Sequence, residues 1–356
     1  MKKTTILLLF ACPIGLVFGQ KQNFDAVFEH FRSAKNFNGV ALVATGGQVD
    51  YLNAGGLAHR ETGAAITVDS RFKLCSITKT FTAAIILQLM EAGKIDLNAT
   101  IGQYLPEYRG PARDRSTIAN LLTYSSGLDN LDQQSDAMYQ SKWPVDSLVS
   151  RFCSGSLVAG PGEQFSYKNA DFILLGKIIE RVTGFSFEKN LRDRILSPLG
   201  MANSGMLRND LVVPGMVSSY VCDSTGVFGR EDPFWIENFY AAGAMFSTIG
   251  DLLKFDHALF SAQLFSQKTL DLMLVPHPEL WGVAIGFWVS PTDFGAVKST
   301  VADRRGSIGG TNTNWLHLRE QHKTILIFSN TDATDLVEMR EQLALSALGQ
   351  AVFLKK

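Results

Sequence analysis

The chain has 356 residues, of which 46% are hydrophobic and 19% are charged, and this composition is ordinary for a soluble globular protein. It excludes a miniature scaffold that needs disulfides or metal for stability. Because 33 basic residues nearly balance 34 acidic residues, the charge gives no indication of a nucleic-acid or other polyanionic partner.

The first 19 residues have the pattern of a secretory signal peptide. A basic start at Met1 precedes an apolar run, and Val17-Phe18-Gly19 offers small or modest residues to a signal peptidase. We therefore predict that residues 1–19 are removed and that the mature chain is exported to the periplasm or secreted, without a transmembrane segment. Two alternatives are a membrane anchor, for which the run is short, and a lipoprotein signal with lipid attached to Cys12.

Removal of the signal leaves three cysteines, Cys75, Cys153 and Cys222. Their spacing matches no metal-binding pattern. One disulfide with a spare thiol and three reduced, buried cysteines both fit this count, since a free cysteine packs like a small hydrophobic residue.

A helix and a hairpin are the first predicted elements of the mature chain. Aromatic and aliphatic residues recur at helical spacing from Phe24 to Phe31, which predicts an amphipathic helix over about 23–34. Two β-prone runs, 39–44 and 48–53, then flank a Gly pair, and this pattern is typical of an antiparallel hairpin.

The segment from Ser76 to Met90 is apolar on nearly all sides, and Gly93 is placed to end it. A helix without a polar face belongs in the centre of a protein. Its charged and hydroxyl side chains lie mainly in the first turn. This concentration of polar groups at the mouth of a buried helix indicates a functional site.

Helical segments continue to about residue 270, including a helix over 172–182 and another that begins at 250–251. The chain then becomes β-rich again. The elements predicted there are strands over 282–289, 314–318 and 324–329 and a closing helix over about 335–349.

Strands at both ends with helices between them predict one α/β domain over residues 20–356. Its antiparallel sheet is formed from both termini and flanked by helices. The α/β part covers about 20–75 and 271–356, and a mostly helical lobe over about 76–270 is inserted between them.

Ser76-Ile-Thr-Lys79 is the strongest candidate for chemistry. Residues three apart share a helix face, so the Ser76 hydroxyl and the Lys79 amine can meet. Serine needs a neighbour that takes its proton, and a lysine can do so when burial and the helix N-terminus favour its neutral form. A second match, Ser186-Phe-Glu-Lys189, follows a Thr-Gly pair, and we interpret Ser186 as a helix N-cap.

Six segments follow one another in a fixed order, and the first of them contains Ser76 and Lys79: Phe72–Ala83, Tyr104–Glu107, Leu121–Leu128, Pro161–Asn169, Leu199–Met201 and Ala242–Asp251. They resemble, in the same order, segments of the serine β-lactamase and penicillin-binding-protein family, which includes class C β-lactamases, D-alanyl-D-alanine carboxypeptidases and related esterases. The resemblance covers about residues 24–350. It implies a β-lactamase/transpeptidase-like fold and an exported serine hydrolase that acts by acyl transfer without a cofactor.

The resemblance also implies residue roles. Ser76 is the nucleophile and Lys79 its base, Tyr167 shares the proton transfers, and Asn169 hydrogen-bonds Lys79 and the substrate amide. Tyr51-Leu-Asn53 repeats the Tyr-x-Asn spacing, but it falls in the predicted hairpin. We interpret it as a strand tyrosine followed by a turn asparagine.

The third motif of this family departs from the expected pattern. Lys-Thr-Gly, Lys-Ser-Gly or His-x-Gly is expected on a strand beside the nucleophile, and no such tripeptide occurs here. We align residues 305–311 with it, which puts Ser307 at the Lys or His position and Gly309 and Gly310 behind it. The resemblance then implies that these three residues contact the substrate and that the N–H groups of Gly310 and Ser76 form the oxyanion hole.

A serine at this position keeps a hydrogen bond but removes a charge. One hypothesis is that Arg305, on the same strand face as Ser307, restores positive potential for anionic substrates. The alternative is that Arg305 is an ordinary solvated side chain.

The predicted substrate is a small-molecule or peptidoglycan-derived acyl compound, namely a β-lactam, a D-alanyl peptide or an ester. Two alternatives are a catalytically weakened relative that binds peptidoglycan or a protein partner without turnover, and a lipid-anchored envelope protein in which the domain is only a scaffold. The six histidines form no pair at zinc-ligand spacing, so no metal site is predicted. The sequence specifies neither the acyl substrate nor the oligomeric state.

Overall fold

A computed structural model describes residues 14–129, 131 and 137–354, with side chains described from Asn23 onward. Most of the predicted signal peptide, including Cys12, lies outside the described residues. Within them, no helix has both the length and the apolar character required to cross a membrane. Cys75, Cys153 and Cys222 are free thiols, and the first two are buried.

The helices of the described residues occupy the middle of the chain and both ends. They are α1 (Ile14–Ala34), α2 (Thr78–Glu91), α3 (Ile101–Tyr104), α4 (Ile118–Leu122), α5 (Ala137–Gln140), α6 (Val145–Phe152), α7 (Asn169–Thr183), α8 (Phe187–Leu191), α9 (Tyr240–Gly243), α10 (Ile249–Phe260), α11 (Gln267–Met273) and α12 (Leu336–Ala347). The predicted helices over 23–34, 172–182 and 335–349 coincide with α1, α7 and α12.

The strands come mainly from the two ends of the chain. They are β1 (Gly39–Thr45), β2 (Gln48–Gly55), β3 (Leu57–His59), β4 (Ala64–Ala65), β5 (Phe72–Lys73), β6 (Gly205–Met206), β7 (Tyr220–Cys222), β8 (Phe228–Arg230), β9 (Met245–Ser247), β10 (Trp288–Phe294), β11 (Val297–Ile308), β12 (Thr311–Leu318) and β13 (Lys323–Ser329).

One six-stranded antiparallel sheet in the order β10-β11-β12-β13-β1-β2 organises the molecule. Strand β1 pairs with β13 in a register that joins Gly39 to Ser329 and Thr45 to Lys323. The sheet therefore joins both ends of the chain, which confirms the fold class predicted from the sequence.

The two faces of the sheet bury different cores because side chains alternate along each strand. On β1, Val40 and Leu42 join the larger core under the helical lobe, whereas Ala41 and Val43 join the core beneath α1 and α12. Helix α2 runs through the larger core, where the ring of its Phe81 stacks on Phe255 with centroids 3.8 Å apart.

Two local predictions were wrong. Residues 282–287 form turns rather than a strand, since Gly282 and Gly286 adopt left-handed backbone angles, with φ of 70° and 81°. The strand begins at Trp288 and continues through Pro291, whose missing N–H is tolerated because β10 is an edge strand. Asn53 lies within strand β2 and not in a turn, and its amide donates to the Tyr51 hydroxyl at 3.1 Å.

Candidate active site

Ser76 lies in a 3₁₀ turn, Cys75–Ile77, that leads directly into α2. Hydrogen bonds to Leu74 fix the turn from two sides. The N–H of Leu74 donates to the carbonyl of Met245 at 2.8 Å, and the carbonyl of Leu74 accepts from the Thr313 hydroxyl at 3.1 Å. Cys75 has a φ of 51°, a strained conformation for a residue with a side chain. Such strain is frequent at functional sites.

The Lys79 side chain is completely buried beside Ser76. Its Nζ donates to Ser76 Oγ at 3.1 Å, to Asn169 Oδ1 at 2.7 Å and to the Ala242 carbonyl at 2.8 Å. Three oxygen acceptors match the three N–H bonds of an ammonium group. The buried α2 thus brings a lysine and a serine together one turn apart.

Tyr167 reaches the same serine from a distant segment. Its hydroxyl donates to Ser76 Oγ at 2.7 Å, and its ring lies 5.0 Å from Lys79 Nζ. Burial raises the pKa of Tyr167, but the charges of Lys79 and Arg304 and the hydrogen bond with Ser76 outweigh it and lower the pKa to about 8. Tyr167 can therefore exchange a proton near neutral pH.

Asn169, two residues after this tyrosine, begins α7. Besides accepting from Lys79, its amide donates to the Tyr139 hydroxyl at 2.8 Å. The Tyr139 ring in turn stacks on Phe239 with centroids 4.2 Å apart. The structure thus brings together four residues singled out in the sequence: Ser76, Lys79, Tyr167 and Asn169.

Arg304 is the main site residue that the sequence analysis missed. Its buried guanidinium donates twice to the carbonyl of Ser76, from Nε at 2.9 Å and from Nη2 at 2.6 Å. It also donates to the Tyr167 hydroxyl at 3.3 Å and to the Tyr124 hydroxyl at 3.0 Å. A permanent cation therefore contacts both the backbone of Ser76 and the hydroxyl of Tyr167.

An aromatic cluster encloses this guanidinium. The Trp288 ring lies 5.4 Å from it and the Tyr167 ring 5.8 Å. Tyr124 packs on Tyr167 with centroids 4.7 Å apart and on Trp288 with centroids 5.9 Å apart. Burial raises the pKa of Tyr124 well above its usual value, so its hydroxyl stays neutral and accepts from Arg304.

The third motif consequently lies three residues earlier than our alignment placed it. Along β11, Arg304 and Gly306 face the core and Arg305 and Ser307 face outward. A Cβ on Gly306 would lie 2.6 Å from the Leu74 carbonyl oxygen, so only glycine lets β11 approach the turn that carries Ser76. Arg304-Arg305-Gly306 is therefore a cation-x-Gly sequence beside Ser76, and Ser307 does not occupy the position of its cation.

Gly309 and Gly310 lie elsewhere than predicted. They form the turn between β11 and β12, where Gly309 approaches Glu231 and Gly310 approaches the backbone of Tyr220. Neither is among the residues that line the cavity at Ser76. The structure thus does not support an oxyanion hole that uses Gly310.

A cavity of about 890 Å³ opens at Ser76 and Tyr167. Its other lining residues include Trp281, Trp288, Arg305, Ser307, Asn312 and Arg340. The outward face of β11 thus contributes to it, and Arg305 pairs with Asp303 there at 3.2 Å. Among the residues that the structure describes, no group of three His, Cys, Asp or Glu side chains could hold a metal ion.

The second Ser-x-x-Lys match is structural, as interpreted from the sequence. Ser186 is the N-cap of α8, and its hydroxyl accepts from the N–H of Lys189 at 3.2 Å. Lys189 pairs with Asp193 on the surface.

Comparison with known proteins identifies the family to which this fold and site correspond. The Beta-lactamase family model matches residues 24–348. A penicillin-binding protein of Bacillus subtilis (strain 168) is 26% identical over 338 residues, which cover 88% of this chain and 72% of that protein. Esterase EstB of Burkholderia gladioli is 34% identical over 200 residues, covering 51% of this chain and 50% of the esterase.

A solved structure agrees with the fold. The D-amino acid amidase from Ochrobactrum anthropi SV3, complexed with D-phenylalanine, superposes with a TM-score of 0.79 at 23% identity, covering 94% of this chain and 100% of the amidase. The chain therefore belongs to the Beta-lactamase family, and it is a serine hydrolase.

Proposed function

We propose that this chain is an exported hydrolase that transfers acyl groups through Ser76, and that Lys79 and Tyr167 assist the proton transfers of this serine. One observation carries the proposal: Ser76 Oγ lies 3.1 Å from Lys79 Nζ and 2.7 Å from the Tyr167 hydroxyl, at the opening of a substrate-sized cavity. The basic and apolar start of the sequence supports export.

The acylation step uses Tyr167 as the base. Its phenolate takes the proton of the Ser76 hydroxyl while Oγ attacks the substrate carbonyl, and the tetrahedral adduct then collapses as Tyr167 returns that proton to the leaving group. In deacylation, water attacks the acyl-enzyme, Tyr167 takes a proton from the water, and Ser76 regains it as the acid leaves. Ser76 and Tyr167 thus return to their starting protonation states at the end of each catalytic cycle.

Lys79 and Arg304 supply the positive charge for these steps. Both cations contact the Ser76–Tyr167 pair, and their charge favours the phenolate form that the mechanism requires. Because Gly310 lies outside the cavity, we propose that the N–H of Ser307 replaces it as the partner of the Ser76 N–H in the oxyanion hole. Asn169 fixes Lys79 through its Oδ1 atom, and the family resemblance supports a role for it in orienting a substrate amide.

The substrate class is to be tested by profiling the purified mature protein. Nitrocefin, p-nitrophenyl esters and D-alanyl-D-alanine peptides represent the three candidate classes, and we expect turnover of at least one. The relatives named penicillin-binding protein and esterase support this choice. A folded protein that turns over none of them would contradict the proposal and favour the alternative of binding without turnover.

Recognition of anionic substrates is a separate prediction for Arg305. Its side chain is 59% exposed in the cavity and is only partly engaged by Asp303. We expect Arg305→Ala to raise the KM for a substrate with a free carboxylate by roughly three- to tenfold, the scale of one exposed charge contact. The KM for a neutral ester of the same acyl group should not change, and an unchanged KM for the anionic substrate would reject this role.

A further inference from the structure

An exposed indole lies at the rim of the catalytic cavity. Trp281 lines this cavity together with Ser76 and Tyr167, yet 80% of its surface is exposed to solvent. A ring that is apolar over most of its surface gains free energy when another apolar group covers it. An uncovered indole in a concave site is therefore suited to contact a ligand.

The backbone around Trp281 presents this ring instead of burying it. Trp281 has a φ of 63°, in the left-handed region that bulky residues rarely adopt. The N–H groups of Leu280 and Gly282 both donate to the carbonyl of His277 at 2.9 Å, which closes a tight turn around Pro278. Strained conformations that neighbouring bonds enforce are typical of ligand-contacting segments.

The position of Trp281 indicates which part of a substrate it would contact. Trp288, a second indole in the cavity lining, lies 6.1 Å from the Tyr167 ring. In the proposed mechanism Tyr167 returns a proton to the leaving group, which must therefore lie against Tyr167. The turn that carries Trp281 is held beside the strand of Trp288, because the N–H of Val289 donates to the carbonyl of Gly282 at 3.1 Å. On this side of the cavity, the leaving group rather than the acyl group is the part of the substrate that meets the indole.

We propose that Trp281 is a binding platform for a planar aromatic ring in the leaving group of the substrate. This inference rests on the proposed acyl-transfer function and adds a determinant of its specificity. Benzyl esters should be preferred to ethyl esters of the same acid, because only the benzyl ring can pack against the indole.

The test compares benzyl acetate with ethyl acetate. We expect Trp281→Ala to lower kcat/KM for the benzyl ester roughly tenfold and to leave kcat/KM for the ethyl ester unchanged. Trp281→Phe should retain most of the preference for the benzyl ester. Deacylation should not change, since both esters give the same acetyl-enzyme. Phe185→Ala, which removes an aromatic side chain that is 55% exposed outside the cavity, is the matched control.

An equal loss for both esters, or no loss for either, would overturn the platform. A binding measurement separates this result from the proposed function. Saturation-transfer NMR detects the binding of benzyl acetate to the Ser76→Ala variant, with and without the Trp281 indole. Trp281-dependent binding of benzyl acetate, with no wild-type turnover of either acetate ester or of the three substrate classes named above, would retain the platform and reject the acyl-transfer function. If the wild type turns over the esters but benzyl acetate binding does not depend on Trp281, the acyl-transfer function is retained and the platform is rejected.

Discussion

Replacing Ser76 with alanine is expected to abolish covalent labelling by a fluorescent penicillin or a fluorophosphonate. The only change is loss of Oγ, which accepts from Lys79 at 3.1 Å and from Tyr167 at 2.7 Å. Since no nucleophile would then face the substrate carbonyl, kcat/KM should fall by roughly 10⁴-fold or more. Gel fluorescence and steady-state kinetics measure the two effects.

The matched control is Ser186→Ala, which alters the other Ser-x-x-Lys sequence. This change removes an N-cap that accepts from the Lys189 N–H, so it should cost about 1 kcal/mol of unfolding free energy and leave labelling intact. Equal labelling of the Ser76→Ala variant would show that another residue is the nucleophile.

Replacing Arg304 with glutamine is expected to shift the pH profile of kcat/KM to higher pH. In the wild type the rate should rise as Tyr167 loses its proton and level off above its pKa of about 8. Without the guanidinium the phenolate is less favoured, so this pKa rises towards the ordinary tyrosine value of about 10. At pH 7 the reactive fraction then falls roughly 10- to 100-fold, with partial recovery in alkaline buffer.

Two further variants separate charge from structure at this position. Arg304→Lys keeps the charge but cannot donate twice to the Ser76 carbonyl, so the pH profile should stay near that of the wild type while kcat falls. Arg319→Gln removes an arginine outside the cavity, paired only loosely with Asp271 at 3.9 Å, and should change neither. An unshifted profile for Arg304→Gln would show that Arg304 does not control Tyr167.

The fold could be predicted because its local patterns are strong. The all-round apolar character of Ser76–Met90 marks a central helix, and the Gly pair at 46–47 marks a hairpin. The errors fall where one residue has two possible roles. Pro291 disfavours a strand in general but is allowed at a sheet edge, and only the pairing of β10 with β11 shows that this strand is an edge.

The site was predictable where spacing along one helix or one short motif defines it. Ser76 and Lys79 are one turn apart, and Tyr167 and Asn169 follow a recognisable segment. The third motif was misplaced because Gly309 and Gly310 match the expected glycines, whereas the cation that the structure brings to Ser76 and Tyr167 is an arginine. Strand alternation could have found it, since Arg304 is the cation on the inward face and precedes Gly306 by two residues.

The contact between Arg304 and the Ser76 carbonyl spans 228 residues of sequence. Strand β11, which carries Arg304 and packs against the turn that holds the serine, leaves the ribosome after the whole helical lobe. A nascent chain that has emerged only as far as the helical lobe contains the serine, the lysine and the tyrosine, but it lacks the guanidinium that binds the Ser76 carbonyl. On the proposed mechanism, hydrolytic competence therefore has to wait until β11 has been synthesised and has folded against the serine turn.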